Sequence, residues 1–294
     1  MIKICDPGIK TKYTVADFER AIADFVGYPF AVATNTGTAA LHLSLLCHMG
    51  TIIYVGIPPL CFRAVWNAVH QISAWPIYRE CSRDRTIDVM NYGFPSKENH
   101  KDILDASESF GGDIPIDYRF VTLSFNWNKP VTCGSGGMIL CRNSEDAAKI
   151  RLLINQCKIN SVYFIHSNDT GYNYRMNDFQ ASMGMESLMM WPNNYLLKKL
   201  IYQRYLDADL PVVEPPKGFK WNYWITLLRT PKREKVLQAF RENDIETRAM
   251  FTPHTREFPK VNKFADETMC LPSSPGLTEE EQEKVIQVVK GVLG

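Results

Sequence analysis

The sequence predicts an α/β protein: a large domain on a mostly parallel sheet, followed by a smaller C-terminal α/β domain. Three observations predict this. Short apolar runs alternate with helical stretches to about residue 190, the pattern of strands joined by crossover helices. Beyond about residue 205, Pro211, Pro215, Pro216 and Pro231 break the chain into shorter pieces. The chain has 294 residues and is 45% apolar, enough to bury one large core and a smaller one. We place the two domains at 1–204 and 205–294.

The elements follow in order. Thr14 to Val26 reads as a helix, with Thr14 and Asp17 at capping-box positions, Gly27 as the stop, and Phe18, Ile22 and Phe25 on one face. FAVAT (30–34) reads as a strand leading through Thr36-Gly37-Thr38 into the helical AALHLSLLCHM. TIIYVG (51–56) is the next strand, CFRAVWNAVHQI (61–72) a helix, and WPIYRE (75–80) a strand. ILDA (103–106), FVTLSF (120–125) and GMILCR (137–142) have the length and flanks of buried strands. Helices are expected near 145–155 and 176–190. In the C-terminal part, 220–229 reads as a strand and 232–245 as a helix. A last helix starts at Thr278 with Glu281 at its capping-box position.

Lys+Arg (33) and Asp+Glu (32) nearly cancel, so no basic face for nucleic acid is expected. The N-terminus lacks an apolar leader and no run of 18 apolar residues occurs, so a cytoplasmic protein without a membrane span is expected. The 8 cysteines form no CxxC pair and are expected as reduced thiols. His70, His100 and His166 have no metal-ligand spacing, and no metal site is expected.

Four features could carry chemistry. Thr36-Gly37-Thr38 lie between a strand and a helix, where free N–H groups and hydroxyls can hold a phosphate; the same residues also suit an ordinary helix cap. Asp105 ends an apolar run, and strand ends face the ligand crevice in open α/β sheets. Lys129 sits between an apolar strand and a glycine turn, and Pro130 keeps it from helical backbone angles. A partly buried lysine there is a candidate amine nucleophile. Gly134-Ser135-Gly136-Gly137 precedes a strand instead of opening a helix, so it reads as a tight turn and not a dinucleotide site.

Five windows in this order resemble the DegT/StrS-type sugar aminotransferases: FERAIADFVGYPFAVATNTGTAALHLSL, IPPLCFRAVWNAV, DILDASESFGG, LSFNWNKPVTCGSGGMIL and GYNYRMNDFQASMGMESL. The resemblance implies a fold-type I enzyme using pyridoxal 5'-phosphate (PLP). By that resemblance Lys129 would hold the cofactor and move the proton between substrate and cofactor. Asp105 would pair with the ring nitrogen, Phe62 would stack on the ring, and Glu108 would lie near it. Gly37, Thr38 and Ser124 would hold the phosphate, and Asn173 would reach the phosphate of a second subunit. The implied partners are an amino-acid donor such as glutamate, a keto-sugar acceptor, nucleotide-linked, and a second copy of the chain in a homodimer with shared active sites.

The chain is shorter than typical members of that family: RTID (85–88) passes almost directly to VMNYGFP. Asn126-Trp127 stands where His-Pro is usual, and Ser135 where an acidic residue is frequent. Two other readings follow from the shortening: an aminotransferase for another keto compound, and a non-catalytic binding protein.

Overall fold

The computed structural model describes residues 10–49, 53–78, 86–95, 100–160 and 165–294. The ends of the expected strands at 51–56 and 75–80, together with Cys5 and Cys81, lie outside the described residues.

The central sheet has the strand order β1-β7-β6-β5-β4. Its members are β1 (Phe30–Thr34), β4 (Ile87–Val89), β5 (Ile103–Asp105), β6 (Phe120–Ser124) and β7 (Gly137–Cys141). β4, β5 and β6 pair in parallel, while β7 runs against both β6 and β1. β2 (Tyr54–Ile57) and β3 (Trp75–Tyr78) form a parallel pair, and a parallel bridge from Gly56 to Thr86 carries the sheet across to β4. The sheet is thus mostly parallel, with β7 reversed.

Both faces of this sheet are covered, which is why its strands read as unbroken apolar runs. Side chains alternate. Ile139 and Cys141 of β7 enter a core shared with α2 (Gly37–Met49), α3 (Arg63–Gln71) and α4 (Ser144–Ile154). Met138 and Leu140 enter the opposite core, shared with α1 (Val15–Val26) and α5 (Asp178–Asp207). α1 carries the expected capping box between Thr14 and Asp17. Phe18 and Ile22 of α1 are fully buried, each contributing roughly 1.5–3 kcal/mol. Phe25 turns partly outward and stacks on Phe110 with ring centroids 4.8 Å apart. α2 is apolar almost all round because it is enclosed between sheet and helices. Beyond α4, β8 (Lys158–Asn160) and β9 (Ile165–His166) form a small antiparallel pair.

The C-terminal part has its own antiparallel sheet, β10-β12-β11, formed by β10 (Thr226–Arg229), β12 (Thr268–Leu271) and β11 (Arg248–Ala249). α6 (Arg233–Glu242) and α8 (Glu279–Leu293) pack on it through Val236, Phe240, Val285 and Val289. α7 (Pro259–Glu267) leads into β12. Thr278 and Glu281 form the expected capping box of α8.

Two elements differ from expectation. The helix expected near 176–190 continues through Pro192 to Asp207. Packing at both ends sustains it: Ala181 belongs to the core of the large sheet, Ile201 and Tyr205 to that of the C-terminal sheet. The proposed division at 204/205 therefore falls within α5. The strand expected over 220–229 begins only at Thr226. Trp221 and Asn222 are instead buried in an extended segment held by side-chain hydrogen bonds.

Candidate active site

At the carboxyl ends of β4, β5 and β6 opens a cavity of about 300 Å³. Open α/β sheets place ligands at such ends. Gly37, Thr38, Phe62, Asp105, Glu108, Ser124 and Lys129 all line it. Of the residues expected at the site, Asn173 alone does not. It is exposed, and its carbonyl accepts from Asn35 Nδ2 at 3.5 Å.

One wall is the start of α2. Thr36 Oγ1 caps the helix by accepting from Ala39 N–H at 3.0 Å, so the cap and the ligand site coexist. The N–H groups of Gly37 and Thr38 have no acceptor among the described residues. Gly37 and Thr38 line the cavity together with Ser124. A Cβ on Gly37 would come within 2.9 Å of Ser124 Cβ, so glycine is what lets the helix start and the strand end meet. A Cβ on Gly137 would collide with the Thr36 carbonyl.

The floor holds two buried carboxylates. Asp105, last residue of β5, accepts from Ser107 N–H at 3.0 Å and Thr122 Oγ1 at 3.3 Å. Both donors are neutral, and among the described residues no cation lies within ion-pair distance of Asp105. Burial raises the Asp105 carboxyl above the usual carboxylate range. Glu108 is raised for the same reason, though the Lys129 charge and the Tyr92 N–H pull it back. Its Oε2 accepts from Tyr92 N–H at 2.6 Å and its Oε1 from Lys129 Nζ at 3.3 Å. The Lys129 side chain is only 11% exposed. Its Nζ lies 3.9 Å from the centre of the Trp224 ring. Lys129 belongs to the link between β6 and β7, and its ammonium is turned inward by Glu108 and Trp224.

Three further lining residues come from the C-terminal part: Trp224, Arg248 and Phe251. Trp224 Nε1 donates to the Asn128 carbonyl at 2.7 Å, tying this wall to the lysine loop. Buried Asn222 donates to the carbonyls of Glu108 and Phe110. Phe251 approaches Phe62, with ring centroids 5.5 Å apart. Sequence reasoning did not place these residues. The signal available was a buried-type polar residue between tryptophans in WNYW, which suits a packed crossing better than a strand.

The donor set fits PLP. Unpaired helix-start N–H groups and a serine hydroxyl suit a phosphate. A buried carboxylate with neutral partners suits a protonated ring nitrogen, and an inward lysine suits a covalent tether.

The model of the DegT/DnrJ/EryC1/StrS aminotransferase family matches residues 8–90 and 115–290. Asp105 and Glu108 fall in the unmatched interval, so their place in the site rests on the geometry above. The chain is 26% identical to the GDP-perosamine synthase of Caulobacter vibrioides, over 95% of this chain and 90% of that one. It is 25% identical to the 3-oxo-glucose-6-phosphate:glutamate aminotransferase of Bacillus subtilis, over 94% and 76%. The fold is that of a Brucella abortus aminotransferase of the same family, with a TM-score of 0.85, 22% identity, and coverage of 95% of this chain and 90% of that one.

Proposed function

The chain belongs to the DegT/DnrJ/EryC1/StrS aminotransferase family and is a PLP-dependent aminotransferase, and from that premise we propose that it moves an amino group from glutamate to a nucleotide-linked keto sugar. The observation that carries this reading is the inward Lys129 beside two buried carboxylates and an unpaired helix start. Similarity to relatives named for sugar substrates supports a sugar acceptor.

Each residue has a task. The N–H groups of Gly37 and Thr38 and the Ser124 hydroxyl would bind the cofactor's phosphate. Asp105 would hold the positive ring nitrogen, and Phe62 would stack on the ring. Bound PLP supplies an electron sink for the substrate carbon that gains or loses a proton. Lys129 Nζ would hold the cofactor and move that proton, and Glu108, 3.3 Å away, would orient the amine. Trp224 screens the amine from water on one side.

The reading includes a cytoplasmic homodimer with shared sites, in which Asn173 reaches the partner's phosphate. Exposed Phe179, Met183 and Met190 on α5, and Trp127 at 74% exposure, support an apolar surface for that contact. Among the described residues no helix is long and apolar enough to cross a membrane.

The test is the absorption spectrum of protein loaded with PLP, before and after glutamate. A band near ~420 nm that moves to ~330 nm, and returns on adding a nucleotide keto sugar, is the expected result. No band near ~420 nm would remove Lys129 from its role. Return of the band only with free ketones would move the acceptor away from nucleotide sugars.

A further inference from the structure

We propose that Arg248 is the receptor for the donor's carboxylate and so tells the amino acid from the sugar in a cavity that both must use. The inference rests on the amino-donor reading above. Among the described residues four side chains that carry charge line the cavity: Asp105, Glu108, Lys129 and Arg248. Lys129 is matched to Glu108, 3.3 Å away. Asp105 is reserved for a cation on the cofactor. Arg248 remains. Among the described residues no carboxylate lies within ion-pair distance of it, and across the strand ladder it faces Cys270. A guanidinium set into a binding cavity without an acid is an anion receptor waiting for its ligand.

Its surroundings make it a selective one. The guanidinium carbon lies 5.9 Å from the centre of the Trp224 ring and 5.7 Å from that of Phe251. Arg248 is exposed at the rim, and the two rings flank its guanidinium and limit its swing. Trp224 also contacts Lys129, so Arg248 and the reacting amine share a neighbour. In an α-amino acid the carboxylate is bonded to the carbon that reacts. A keto sugar has no such group on its reacting carbon. An anion receptor that shares the Trp224 ring with Lys129 therefore favours the donor's geometry.

Arg63 provides the contrast. It too lacks a carboxylate partner among the described residues, but it stacks on Trp66 at 3.8 Å and donates to His254 Nδ1 at 3.2 Å. It faces a neighbouring hollow and does not line the cavity.

The experiment is calorimetric titration of PLP-loaded protein with 2-oxoglutarate, for wild type, Arg248→Gln, Arg248→Lys and Arg63→Gln. Loss of a two-point charge-assisted contact should weaken binding about 10- to 100-fold in Arg248→Gln. Arg248→Lys should fall between, since it restores charge without the fork. Arg63→Gln should stay within about two-fold, because Arg63 does not line the cavity. In steady-state assays the glutamate KM of Arg248→Gln should rise by the same factor, with the acceptor KM within about three-fold of wild type. Unchanged 2-oxoglutarate binding in Arg248→Gln would overturn the proposal. So would an acceptor KM that rises alone or in step with the donor's. A wild type that binds 2-oxoglutarate through Arg248 yet transfers no amino group would defeat the donor reading and leave Arg248 as a carboxylate receptor only.

Discussion

The cavity has two halves built on different principles. The floor, with Thr36 to Thr38, Asp105, Ser124 and Lys129, comes from strand ends and a helix start of the large sheet. The rim, with Trp224, Arg248 and Phe251, comes from C-terminal segments with little regular structure. Ladder register fixes the floor: Asp105 faces Thr122, and Ser124 faces Gly137. Side-chain bonds to main-chain carbonyls fix the rim, through Trp224 to Asn128 and through Asn222 to Glu108 and Phe110. A floor held by register tolerates little change, whereas a rim held by single side chains can be retuned one residue at a time.

Perturbing each half sharpens that contrast. Lys129→Ala should have the largest effect, a loss of amino transfer of at least ~10³-fold with the fold intact, read by single-turnover kinetics and circular dichroism. Asp105→Asn should cost about 10²-fold in transfer while raising the stability of cofactor-free protein. The sign follows from linkage. The folded carboxyl of Asp105 is raised, so its neutral form gives stability that is present below the ordinary aspartate range and lost as pH rises through the folded value. Thermal melts across pH should show that loss in wild type and a flatter profile in Asp105→Asn. Gly37→Ala should weaken PLP binding about 10-fold or more, because its Cβ pushes Ser124 away from the phosphate wall. Fluorescence titration with PLP would measure this, and unchanged affinity would show that the floor is softer than its register suggests.

The rim predictions are smaller. Asn222→Ala should destabilise by about 1–3 kcal/mol, since it strands the buried carbonyls of Glu108 and Phe110. It should also raise substrate KM more than it lowers kcat, because the rim shapes binding. Thr278→Ala, far from either half, should cost about 1 kcal/mol through the lost cap and leave kcat/KM unchanged. A change in kcat/KM there would mean that the C-terminal sheet is coupled to the chemistry as a whole.

The floor was legible in the sequence because its residues sit where a short-range pattern changes: a strand gives way to a helix at Thr36, and apolar runs end at Asp105 and Ser124. The strand β4 was not legible. It is three residues long, and its middle residue, Asp88, is a buried acid satisfied by His100 and Tyr118. Those partners are distant in sequence, so no alternation of apolar residues marks the strand. The rim was hidden for a related reason. The two-residue β11 that carries Arg248 is too short to show any period, and Trp221 to Trp224 owe their burial to partners more than 90 residues away. Asn173 was read from resemblance, and within one chain it stands outside the cavity.

The reversal of β7 has a mechanical consequence. Because β6 and β7 are antiparallel neighbours, the segment carrying Lys129 leaves one strand and returns directly into the next, as the jaws of a caliper meet at one hinge. The Ser124–Gly137 pair closes its base, and bonds from Phe125 N–H to Gly136 O and from Cys133 N–H to Phe125 O brace it above. A crossover through a helix would let small errors of position accumulate before the lysine is reached. Here the segment that carries the amine is anchored on both sides to the same ladder.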